Sequence, residues 1–165
     1  MRWYASCTYD ASGNLFIEAE TNKFQFLLLE LPKGGNKLVP LTLHTKAILD
    51  FPIQWDGSYI TIANLSIDTA VLTIYRISVS GAKATIVGKT ELKGAGHAVW
   101  IEGSTAISAR CCKDNQASNV GFYDYPAGGT PRLIYRGLEN MNGRSRRQVL
   151  GLVVATLPSE SGPRK

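Results

Sequence analysis

The sequence predicts an all-β fold built from repeated four-stranded antiparallel blades of propeller type. A first motif recurs three times, as Tyr9-Asp10-Ala11-Ser12-Gly13, Trp55-Asp56-Gly57 and Trp100-Ile101-Glu102-Gly103. Each is an aromatic, an acidic residue and a glycine followed by an alternating apolar strand, and the glycines stand 44 and 46 residues apart. A second motif ends strands at Leu31-Pro32-Lys33-Gly34-Gly35, Val79-Ser80-Gly81 and Tyr125-Pro126-Ala127-Gly128-Gly129, placing Gly34, Gly81 and Gly128 at steps of 47 and 47. No segment before residue 140 carries a helical period. Strand-rich periods of about 40–50 residues are those of propeller blades.

Each period reads as four strands. The first ends at the acidic turn, over 51–55 and 97–101 in the second and third blades. Asp56-Gly57 is a hairpin signal, because glycine accepts positive φ and aspartate tolerates it. The second strand covers 15–19, 59–65 and 105–110, and a variable connection follows at 20–23, 66–70 and 111–118. The third covers 24–31, 71–79 and 120–125, and beyond the glycine turn the fourth covers 38–43, 85–92 and 132–136. Alternation is plain in Tyr59-Ile60-Thr61-Ile62-Ala63 and blurred in Phe26-Leu27-Leu28-Leu29, as expected of sheets covered on both faces. The blades span about 7–45, 51–93 and 97–138 within residues 1–140. Three blades cannot close a ring, so an incomplete ring with open blade edges predicts self-association, with two copies completing six blades, or else marginal folding.

Residues 141–165 form an atypical basic segment. Residues 1–140 hold 13 Lys/Arg against 12 Asp/Glu, whereas 141–165 hold five (Arg144, Arg146, Arg147, Arg164, Lys165) against Glu160 alone. The overall charge of +5 is therefore a property of the tail, and a nearly neutral body argues against nucleic-acid binding. Residues 149–157 are read as an extra strand beside the third blade, followed by a disordered tail. With 44% hydrophobic and 19% charged residues the chain is globular in composition. No apolar run is long enough to span a bilayer, and the first ten residues do not make a complete secretory signal.

Candidate chemistry is sparse. Asp10, Asp56 and Glu102 hold equivalent positions and could offer oxygen ligands to a divalent cation, but the simpler reading is that each supports its own turn. Glu18, Glu20, Asn64 and Asp68 could converge on a channel, although no spacing selects them. His44 and His97 lack a nucleophile beside them, and there is no G-x-S-x-G elbow. Trp55-Asp56 enters a hairpin turn rather than ending a third strand, so it is not a WD repeat. Gly94-Ala95-Gly96 and Gly34-Gly35 are not phosphate loops. Trp3, Trp55, Trp100 and Tyr9 read as packing aromatics. Cys7, Cys111 and Cys112 lack zinc spacing and read as free thiols, with a bridge from Cys7 to either partner left open. No catalytic, cofactor-binding or metal residue is assigned.

The segments ELPKGG, QWDGSYI, TIYRISVSGAKATIVGKTEL, VWIEGST and GFYDYPAGGTPRLIYRGL resemble uncharacterised bacterial six-bladed β-propellers akin to NHL-repeat and gluconolactonase-like propellers. The likeness covers roughly residues 7–138 and implies a fragment of about three blades. The lack of a nucleophile–base pair, metal spacing or cofactor fingerprint points to a non-enzymatic binding or scaffold module for an unknown protein or small-molecule ligand, without a cofactor, and the resemblance offers the alternative of part of a gluconolactonase-like metal-dependent hydrolase. The resemblance also implies an extracytoplasmic full-length parent.

Overall fold

The structure, a computed structural model, describes residues 3–23, 25–45, 52–66, 68–110 and 119–135, with the side chains of residues 3–5 and 97 outside that description. The basic segment 141–165, with its predicted strand, and the predicted 111–118 connection lie outside the described residues. Among the described residues all regular structure is β.

Twelve strands form three successive antiparallel meanders. The first comprises β1 (Trp3–Tyr9), β2 (Leu15–Glu20), β3 (Phe26–Leu31) and β4 (Val39–Leu43). The second comprises β5 (Gln54–Trp55), β6 (Ile60–Ser66), β7 (Val71–Ser80) and β8 (Lys83–Lys93). The third comprises β9 (Ala95–Glu102), β10 (Thr105–Arg110), β11 (Val120–Asp124) and β12 (Leu133–Tyr135). Each meander runs through four strands in sequence order.

Boundaries differ from the expected ones in informative places. The first strand starts at Trp3, ahead of the predicted blade start at residue 7. The strand expected over 51–55 is ordered as a ladder only at Gln54–Trp55, whose partners are Thr61 and Ile60. Strand β8 runs to Lys93 and β9 begins at Ala95, so Gly94 alone joins the second meander to the third.

The first two meanders are fused rather than separate. Strands β4 and β8 pair in parallel through Thr42–Lys83 and Leu43–Ala84, giving one eight-stranded sheet in the order β1-β2-β3-β4-β8-β7-β6-β5. Its ends approach one another, because the Ile53 N–H beside β5 donates to Ser6 Oγ on β1 at 2.9 Å. The result is a nearly closed, barrel-like sheet. Backbone pairing between two outer strands carries no side-chain signature, which is why the sequence did not announce it.

Two cores lie on opposite faces of the second meander. Phe16, Leu28 and Leu41 of the first meander pack against Ile53, Ile60, Ile62, Ile77 and Ala84. Ala63, Leu65, Leu72, Ile74 and Leu92 pack instead against Ala95, Val99, Ile101, Ala106, Tyr123 and Tyr125 of the third. Strand β6 therefore sends Ile60 and Ile62 to one neighbour and Ala63 and Leu65 to the other, the period-2 consequence of a strand covered on both sides.

Candidate functional site

The acidic hairpin turns are built by their own carboxylates. Asp10 Oδ1 accepts the N–H groups of Ser12 and Asn14, each at 2.9 Å, and Oδ2 accepts the Asn14 side-chain amide at 2.8 Å. Burial works to raise the Asp10 carboxyl, but the bonds from Asn14, Ser12 and Gly13 together outweigh it and hold the group below its ordinary range. Asp56 Oδ1 accepts from the N–H groups of Ser58 and Tyr59 at 2.9 and 2.7 Å. Its Oδ2 accepts the Tyr125 phenol at 2.6 Å, a bond reaching from the third meander to the second.

The inner strands are linked at a nearly constant step. Ser6 on β1 accepts the Ile53 N–H and donates to Glu18 Oε2 at 2.7 Å. Gln54 on β5 accepts the Ile101 N–H at 3.0 Å and donates to the Val99 carbonyl on β9. Both N–H bonds span 47 residues. The outer edges are linked as well. The Thr42 N–H donates to the Ala82 carbonyl at 2.8 Å, the Lys93 N–H of β8 donates to the Gly129 carbonyl at 2.8 Å, and the Gly129 N–H donates to the Glu91 carbonyl at 2.7 Å. Thr90 Oγ1 donates to the Pro126 carbonyl at 2.8 Å.

The space between the first two meanders stays partly open at its hairpin-turn end. A cleft of about 370 Å³ is lined there by Asp10, Asn14, Phe16, Glu30, Pro32, Val39, Val79 and Gly81. Burial first, and then the Asp10 charge, push the Glu30 carboxyl above its ordinary range. A second, shallower depression of about 360 Å³ follows the β8 edge past Lys89, Glu91 and Gly129.

The other candidates are dispersed. Glu18 is buried between the first two meanders, Asn64 sits half-buried on β6, Asp68 is exposed in the β6–β7 turn and Glu20 ends β2. His44 is exposed just past β4, and His97 lies on β9. Glu102 is exposed at its turn. Among the described residues no three His, Cys, Asp or Glu side chains gather as a metal site. Cys7 is an exposed free thiol, while Cys111 and Cys112 lie outside the described residues. Trp55 packs on the first core, Trp100 is half-buried and Tyr9 is largely exposed. No helix among the described residues is long and apolar enough to cross a membrane.

No family model, curated protein or solved structure matches the chain. The candidate site therefore rests on the geometry of the chain itself. Its cleft residue Glu30 was missed at the sequence level, where it stood as one polar residue in the apolar run Phe26–Leu31. The signal was present: a charge inside an otherwise apolar strand whose Leu28 and Leu29 are buried on opposite faces.

Proposed function

We propose that the chain is a non-enzymatic binding or scaffold module of β-propeller type, its blades stacked face to face. The observation that carries this reading is the two-sided burial of the second meander, with inner strands tied at a 47-residue step on both sides. Stacked repeats that contact only their neighbours present turns and loops along one rim, which suits recognition. The commitment of Asp10 and Asp56 to their own turns favours binding over a metal-dependent hydrolase.

Self-association follows from the third meander. Trp100 pairs with Ile107, Ile107 with Phe122 and Phe122 with Leu133, a row on the face turned away from the second meander. Leu133 and Tyr135 are 59% and 62% exposed. The corresponding face of the second meander is covered by a neighbour, so a second copy is the proposed cover, giving six blades in all. Sedimentation equilibrium tests this. The expected species is twice the 18.0 kDa chain, shifted toward monomer by Leu133→Asp. A compact, thermostable monomer at every concentration would overturn the assembly, and specific turnover of a lactone with bound divalent metal would overturn the non-enzymatic reading.

A further inference from the structure

The two spaces between meanders are built at matching positions but filled differently. Counting from each hairpin turn, Tyr9–Leu15 and Trp55–Ile60 are corresponding pairs, and one step further stand Thr8–Phe16 and Gln54–Thr61. Phe16 pairs with Glu30, and Thr61 pairs with Arg76. Glu30 of the first meander thus holds the place of Arg76 in the second. Ile60, paired with Trp55 just before Asp56, matches Ala106, paired with Ile101 just before Glu102, so Ile77 matches Tyr123 and Val79 holds the place of Tyr125 two residues on.

Between the second and third meanders this position is closed. Tyr125 is buried and donates to Asp56, and the Arg76 charge is felt by its phenol. An anion and an aromatic ring therefore meet there, with Arg76 on the strand face turned the same way. Between the first and second meanders the anion remains as Asp10, but the cation has become Glu30 and the ring has become Val79. What is left is the cleft of about 370 Å³, with two carboxylates and an apolar wall. The missing parts are one positive charge and one apolar body.

We propose that this cleft binds a small organic cation, its ammonium set against Glu30 and within the field of Asp10, whose oxygens stay with their own turn, and its ring or short apolar body against Phe16, Val39 and Val79. The volume is within the range of small-ligand sites. Phe16 gives the floor rigidity, because it is fixed in the core shared with the second meander. Glu30 gains a charged partner on binding, which relieves the cost of two close carboxylates. The proposal names a ligand class for the binding reading and rests on it in that respect. The cleft lies wholly within the first two meanders, so its test does not depend on self-association.

Isothermal titration calorimetry of the full chain with phenethylamine, and with 3-phenylpropionate as the anionic control, tests the proposal. Saturable one-to-one binding of the amine is expected, with the acid at least about tenfold weaker. Glu30→Gln should weaken the amine about tenfold, because it removes one of two facing charges while the Asp10 turn is left intact. The double change Glu30→Arg with Val79→Tyr installs the residues of the closed position, and it should abolish amine binding and raise the melting temperature. Equal binding of amine and acid, no saturation up to about 10 mM, or full binding retained by Glu30→Gln would overturn the proposal. Glu30→Gln decides the matter even if the double variant fails to fold. Amine binding by a strictly monomeric chain would refute the self-association alone.

Discussion

Tyr125 joins two meanders through one hydroxyl. Its partner, Asp56, keeps the two turn N–H groups on Oδ1 whatever happens at Oδ2. Tyr125→Phe should therefore leave the hairpin formed and remove only the bond between meanders. A charge-assisted hydrogen bond of this kind contributes about 1.5–3 kcal/mol. The melting temperature should fall by roughly 5 °C with the strand content seen by circular dichroism unchanged. Tyr123 gives a second, pH-dependent test. Burial pushes its phenol up from 10.0 to about 12, with the Arg110 charge opposing. The folded chain thus favours the neutral phenol. The stability this provides is complete below pH 10 and is lost as pH rises toward 12, amounting to about 2–3 kcal/mol for a shift of that size. Tyr125 is raised in the same direction, by burial first and then by Asp56. Melting followed from pH 9 to 12 should show a steep alkaline loss, and Tyr123→Phe should flatten it.

At the scale of elements, the outer strand β8 serves two cores by a register shift. Arg76 pairs with Gly88, but Ile77 pairs with Ile86, leaving Val87 as an extra residue between them. Beyond that bulge the strand reverses its faces. Thr90 and Leu92 therefore lie on the side of the third meander, while Ala84 and Ile86 lie on the side of the first. The alternation of β8 looks simple in sequence, and Gly88 beside the bulge is its mark of the reversal. What was legible was the all-β class, the acidic turns, the glycine turns and most strand positions, whereas the nearly closed, barrel-like sheet was not. Side-chain bonds between meanders, such as those of Gln54 and Tyr125, were not legible, because they join residues a full repeat apart and depend on how the sheets stack. The β4–β8 pairing was hidden for the related reason that it is made by backbone alone.

Two element-scale tests follow from these links. Gln54→Ala removes the partner of the Ile101 N–H and of the Val99 carbonyl, both beside the second core. A cost of about 1–3 kcal/mol is expected, and hydrogen exchange should accelerate in β9 more than in β2 or β3. Gly128 and Gly34 occupy matching turns with φ of 76° and 74°. A Cβ at Gly128 would lie 2.5 Å from the Glu91 carbonyl oxygen, whereas at Gly34 it would meet nothing within 4 Å. Gly34→Ala should cost only its backbone strain, about 1 kcal/mol. Gly128→Ala should cost clearly more, because the β8 edge must also give way. Equal losses in the two variants, measured by urea denaturation, would show that the outer-edge contact contributes nothing.

Across the whole molecule the second meander is the shared partner and the other two are its covers. Their tethers differ greatly in length. Gly94 alone separates β8 from β9, whereas residues 44–53 separate β4 from β5. A sheet held by one residue stays close to its docking face after any transient detachment, while a longer connection lets its sheet range further before it returns. The short tether thus holds the third meander beside the second, whereas the first is held by the β4–β8 pairing and by the Ile53–Ser6 bond. Release of those bonds uncovers Ile60, Ile62 and Ile77 together, side chains that are otherwise buried. The hazard of clumping during synthesis, warming or mild denaturant is therefore set by a few hydrogen bonds at the two seams of the sheet rather than by the apolar side chains they protect.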